Sequence, residues 1–189
     1  MLSNAITKDH ATFRALLSAM SRPGSIHGLP QPDDTSGKNS MVITMLHSLM
    51  DNEVTCYVMD GGQDGLSFDI AMCTGGKQAD CNTADFLIFP EGSSHGMLTD
   101  AKRGTLEYPD SGATVIYLVS ELHDSGGEVT LQGPGINGIV RPLIRGLAPD
   151  ELEMLRAVNA EFPLGVDTLF LDTAGRIMCI PRSTRIGRN

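Results

Sequence analysis

Apolar residues recur at helical spacing early in the chain. In "DHATFRALLSAMSRPG", Phe13, Leu16, Leu17 and Met20 fall three or four residues apart. This predicts a helix that Asp9 caps at its start and that Pro23 and Gly24 end. "QPDDTSGKNS" reads as a loop by composition. "NSMVITMLHSLMD" is apolar around much of its circumference and predicts a second, well-buried helix. "EVTCYVMD" predicts a strand closed by Gly61 and Gly62, and "GLSFDIAMCTGG" a short helix with a glycine stop. "ADFLIFPEG" is short and continuously apolar, as strands are inside a sheet covered on both faces.

Residues 94–104, "SHGMLTDAKRG", predict a helix followed by a turn. Two β runs follow, "GATVIYLVSEL" and "GGEVTLQGPGI", and "HDSGG" between them reads as a hairpin loop. In "LAPDELEMLRAVNAEFP", Pro149 suits a first helical turn, and Leu152, Leu155 and Val158 line one side. "VDTLFLDTAGRIMCIP" predicts two strands joined around "DTAG". Strands and helices are mixed along the whole length, without a linker, a low-complexity tract or a repeat. The expectation is one α/β domain spanning residues 1–189, a sandwich with a mixed sheet.

Charge and composition narrow the function. The 189 residues carry a formal net charge of -9, with a pI near 4.9. A general nucleic-acid binder would show a basic face, so no nucleic-acid partner is expected. No stretch approaches the length of a membrane span, and "MLSNAITKDH" has neither the basic start nor the apolar core of a secretory signal. Cys56, Cys73, Cys81 and Cys179 lack CxxC spacing and histidine neighbours. They read as reduced thiols of a cytoplasmic protein, with neither a metal nor an iron–sulfur cluster.

Several motifs invite a chemical reading and lose it to context. Gly133, Gly135 and Gly138 in "GPGING" have dinucleotide-site spacing, but Pro142 and Gly146 break the helix such a site needs. A tight turn is the simpler reading. None of His10, His27, His47, His95 and His123 has metal-ligand spacing. In "EGSSHG", Ser93 and Ser94 lack the GxSxG frame of a hydrolase nucleophile, and a helix-capping loop accounts for them. Lys8, Lys38, Lys77 and Lys102 all sit among polar neighbours, so none reads as the buried amine of a pyridoxal-phosphate site.

The chain's end, "IPRSTRIGRN", is its strongest basic cluster. Arg182, Ser183, Thr184 and Arg185 form a candidate anion-binding or subunit-contact segment, because arginine forks suit both phosphate and interface hot spots. A solvated terminus is the third reading. Upstream, "FPLGVD" reads as a structural corner. There Asp167 is placed to accept backbone hydrogen bonds or to pair with Arg182, and a general-base role is the alternative.

Three stretches, "FRALLSAMSRPG", "LQGPGI" and "FPLGVDTLFLDTAGRIMCIPRSTRI", occur in the order found in the PhnH subunit of bacterial carbon–phosphorus lyase, which the chain resembles. The resemblance implies a three-layer α/β sandwich similar to the pyridoxal-phosphate-dependent transferase fold, without the cofactor. It implies a homodimer when isolated, and PhnG-, PhnI- and PhnJ-type partners in a core complex. That complex makes ribose 1-methylphosphonate 5-triphosphate from ATP and methylphosphonate, and its iron–sulfur cluster belongs to a partner. The resemblance carries over no catalytic residue and points to an accessory role. The alternative is a stand-alone enzyme that binds a phosphorylated substrate at the arginine-rich end. The Met-rich second helix, with Met41, Met45 and Met50, is the expected source of apolar dimer contacts.

Overall fold

The structure, a computed structural model, describes residues 2–32, 39–59 and 65–188. Its helices are α1 (Leu2–Ser21), α2 (Ser40–His47), α3 (Leu66–Thr74) and α4 (Glu151–Val158). Its strands are β1 (His27–Gly28), β2 (Thr55–Val58), β3 (Lys77–Gln78), β4 (Phe86–Phe89), β5 (Thr114–Val119) and β6 (Glu121–His123). They continue with β7 (Val129–Gln132), β8 (Leu143–Arg145), β9 (Asp167–Asp172), β10 (Arg176–Ile180) and β11 (Arg185–Arg188).

Seven strands form one mixed sheet in the order β1-β10-β9-β5-β4-β2-β3. The pairs β2/β3, β2/β4, β4/β5 and β5/β9 are parallel, and β9/β10 and β10/β1 are antiparallel. The central strands are apolar without alternation because both faces are covered. On β5, Val115, Tyr117 and Val119 enter one core, while Ile116 and Leu118 join the other. Helices α1, α2 and α3 cover the second of these faces through Leu16, Ala19, Val42, Met45, Leu46, Leu66 and Ile70. Over the other face lie α4, through Leu155 and Val158, and two ribbons, β6/β8 and β7/β11.

The predicted β9–β10 hairpin forms around "DTAG". Asp172 holds it: its carboxylate accepts from Ala174 N and Arg176 N, both at 2.9 Å, and from Arg176 Nε at 2.7 Å. It also accepts from Leu122 N at 3.1 Å, which ties β6 to the hairpin.

Other expectations need correction. Helix α1 begins at Leu2, so Asp9 lies inside it and does not cap it. "HDSGG" is not a hairpin loop: β5 pairs in parallel with β4 and β9, and the chain after it leaves the main sheet to pair β6 with β8 and β7 with β11. Residues 94–104 hold only a single 3-10 turn, Met97–Asp100. Helix α4 ends at Val158, short of Pro163. Met45 and Met50 are buried in the core and cannot supply an outer contact. The middle of the "QPDDTSGKNS" loop, with Lys38, and the glycine stop at Gly61 and Gly62 lie outside the described residues. No helix among the described residues is long and apolar enough to cross a membrane.

Candidate functional site

The C-terminal segment begins where Pro181 ends β10. Thr184 N donates to Pro181 O at 2.9 Å, closing a turn that carries the chain from the main sheet into β11. Strand β11 then pairs antiparallel with β7, setting Arg185 opposite Gln132 and Ile186 opposite Leu131. Period-2 alternation sends Ile186 toward the core beside Leu131 and leaves Arg185 exposed. Residues 182–184 are therefore a bonded turn and the residues from Arg185 on a paired strand, which sets aside the solvated-terminus reading for residues 182–187.

Arg182 and Asp167 meet at the ends of β10 and β9. Asp167 Oδ1 accepts from Arg182 N at 2.9 Å, and Oδ2 accepts from Arg182 Nη2 at 2.6 Å and Nε at 3.1 Å. Arg182 Nη1 donates to the carbonyl of Pro109. The arginine side chain is 13% exposed and the aspartate 24%. A guanidinium with its fork on one carboxylate and another N–H on a carbonyl acts as a clasp between segments. The buried thiol of Cys179, close by, is pushed well above its ordinary value, first by burial and then by the charge of Asp167.

Arg182, Ser183, Thr184 and Arg185 all line one groove of about 1010 Å³. The turn of Gly133, Pro134 and Gly138 forms another side, and Glu153, Arg156, Asn159 and Phe162 come from α4 and the segment after it. Two glycines of "GPGING", Gly133 and Gly135, serve close packing, whereas Gly138, with φ +81° and open space around it, serves the turn's backbone conformation. Gly133 has φ +149°, and a Cβ there would lie 3.1 Å from Ser183 O and 3.3 Å from Thr184 Cα. Asn159 is committed to the backbone of Val166, donating from Nδ2 at 3.1 Å and accepting on Oδ1 at 2.7 Å. Arg156 pairs with Glu153 one turn back on α4. Arg185 has no ion-pair or hydrogen-bond partner among the described residues, and the buried hydroxyl of Thr184 has none either.

A second polar cluster lies apart from the groove and escaped the sequence reading. Glu151 is 1% exposed at the start of α4. Its Oε1 accepts from Ser94 N at 2.6 Å, and its Oε2 accepts from the hydroxyl of Tyr117 at 2.5 Å. The Ser94 hydroxyl lies 3.0 and 2.9 Å from the two carboxylate oxygens. Burial, then the carboxylate, push the Tyr117 phenol far above its ordinary value, so it stays a donor. Ser94 thus binds α4 and does not cap the turn beside it, whose first residue has no side-chain cap. Gly92 makes this approach possible: with φ +65°, a Cβ there would lie 2.0 Å from Gly146 O.

The remaining candidates stay scattered. Lys102 donates to Asp85 Oδ1 at 2.8 Å, and Lys77 is exposed. The four cysteines are free, and no group of three or more metal-ligating side chains comes together among the described residues.

The family model described as "Bacterial phosphonate metabolism protein (PhnH)" matches residues 2–187. A relative from Stutzerimonas stutzeri, named "Putative C-P lyase subunit protein HtxG", is 32% identical over 180 residues, covering 95% of this chain and 86% of its own. A relative from Rhizobium meliloti, named "Alpha-D-ribose 1-methylphosphonate 5-triphosphate synthase subunit PhnH", is 29% identical over 192 aligned positions, covering 98% of this chain and 94% of its own.

Proposed function

Because the chain belongs to the PhnH family of bacterial phosphonate metabolism proteins, we propose that it is an accessory, non-catalytic subunit of a carbon–phosphorus lyase core complex. With PhnG-, PhnI- and PhnJ-type partners it supports formation of ribose 1-methylphosphonate 5-triphosphate from ATP and methylphosphonate. The observation that carries this reading is the family match over residues 2–187, together with two relatives that are both named as subunits.

The geometry favours an accessory role. The most constrained polar groups, Glu151, Asp167, Asp172 and Arg182, have their hydrogen bonds taken up inside the protein. We assign Asp167 a structural role on the same ground. A homodimer of the isolated chain is part of the proposal. Its apolar contacts come from the outer side of the helical layer, where Phe13 and Leu17 on α1 and Phe68 and Met72 on α3 are exposed. A likeness to the pyridoxal-phosphate-dependent transferase fold and a cytoplasmic location complete it, the latter supported by four free thiols.

Omission from a reconstituted reaction tests the function. The partner subunits, ATP and methylphosphonate are combined with and without this chain, and the phosphorus products are followed by NMR. Product should form only with the chain present, and the chain alone should turn over neither substrate. Undiminished product without it would remove the proposal.

A further inference from the structure

We propose that the groove between α4 and the β7/β11 ribbon binds a nucleoside polyphosphate, with its phosphates on Arg185 and its flat base against Phe162. Several observations converge there. The groove, at about 1010 Å³, is at the upper end of the range for small-molecule sites. Arg185 is an exposed guanidinium without a partner among the described residues, in a protein of net charge -9. Arginine's planar fork matches phosphoryl oxygens and stays charged at any working pH.

Thr184 lies at the groove's floor, 5% exposed, with its hydroxyl unpaired. That hydroxyl is closed off from the groove, so Thr184 shapes the floor and its oxygen is not offered to a ligand. Phe162 stands at the same groove and is 65% exposed. An aromatic ring left this open in a polar setting is a stacking platform for a base.

Other lining groups limit the site. Arg182 is held by Asp167, and Asn159 by the Val166 backbone, so neither is offered to a ligand. Glu153 and the C-terminal end of α4 bring negative charge to one wall. Arg156 offsets both, and its exposed pairing with Glu153 is weak enough for a phosphate to compete with it. The phosphates therefore belong on the Arg185 side.

The inference deepens the subunit reading, since a triphosphate-forming assembly handles such ligands, but binding is measured on the isolated full chain and so fails separately from assembly. Calorimetric titration uses ATP and, in parallel, inorganic tripolyphosphate. Both should bind. Arg185→Ala should weaken both about tenfold, the scale of one charged hydrogen bond. Phe162→Ala should weaken ATP and leave tripolyphosphate unchanged. Failure of the unaltered chain to bind either probe would overturn the proposal, as would binding indifferent to Arg185→Ala. Equal effects of Phe162→Ala on both probes would remove the base platform. If Arg185→Ala abolished co-purification with partner subunits while ATP bound to neither form, the groove would be a protein contact instead.

Discussion

The hydroxyl of Tyr117, at the centre of the main sheet, donates to Glu151 Oε2 at 2.5 Å, and Glu151 opens helix α4. Both residues are buried. The pair, with Ser94, fixes the end of α4 to β5 and to the loop after β4. Helix α4 is only eight residues long, too short to be stable by itself, so its position depends on such ties and on Leu155 and Val158.

Removing the phenol oxygen should therefore be costly. Tyr117→Phe should destabilise the fold by about 1.5–3 kcal/mol, the range for a hydrogen bond to a charged group. Glu151→Ala should cost more, about 3–5 kcal/mol, because it strands the Ser94 N–H and two hydroxyls in the core. Urea unfolding checks both. A Tyr117→Phe loss below about 0.5 kcal/mol would mean that the short contact carries little stability.

The Arg182–Asp167 clasp makes a different prediction. Asp167→Asn should destabilise by about 2–3 kcal/mol by leaving a mostly buried guanidinium without its counter-charge. Arg182→Lys should recover little, since one ammonium cannot reach Asp167 and the Pro109 carbonyl in the same geometry. If Asp167→Asn left folding and assembly intact while abolishing the activity of the reconstituted complex, Asp167 would be a general base after all.

His27 offers a pH test. Its Nε2 lies 2.8 Å from Ser25 Oγ, and its pKa is held below 6.5, first by burial and then by the charge of Arg22. A folded value below the unfolded one means the unfolded chain takes up the proton first as pH falls. The contribution to stability is thus full above pH 6.5 and declines as pH drops through the folded value. NMR titration of the ring should give a midpoint under 6.5. Arg22→Ala should raise it part of the way, since the larger cause, burial, remains. A midpoint at or above 6.5 in the unaltered chain would contradict this.

Much of the sheet was legible because its signal is local. "FLIF", "TVIYLV" and "TLFL" are apolar at every position or nearly so, which only a doubly covered strand requires. Gly75 and "DTAG" marked real ends because backbone geometry at a stop is a property of those few residues. Topology was not local. "HDSGG" has hairpin composition, yet β5 spends its edges on β4 and β9 and has none left for the strand that follows. Glu151 looked like an ordinary acid in a first helical turn, because its partner Ser94 lies 57 residues away and neither leaves a mark on its own surroundings. At the C-terminus the arginines were visible, but their division of labour was not. Arg182 and Arg185 differ only in what the fold sets beside them.

The exposed apolar side chains on the helical layer should decide oligomerisation of the isolated chain. Phe68→Asp on α3, or Leu17→Asp on α1, should shift its mass by light scattering from dimer toward monomer without loss of helix content. These side chains stand clear of the core, so folding should survive. A dimer mass unchanged by both substitutions would place the self-contact elsewhere.

Assembly with the partner subunits decides whether this chain is a subunit of the complex. The chain is co-expressed with PhnG-, PhnI- and PhnJ-type subunits from the same source, and the mixture is separated by size-exclusion chromatography with light scattering. This chain should elute with all three partners in one species of defined stoichiometry, well above the mass it shows alone. Elution of the chain only at its own mass, while the partners assemble without it, would show that it is not a subunit of that complex.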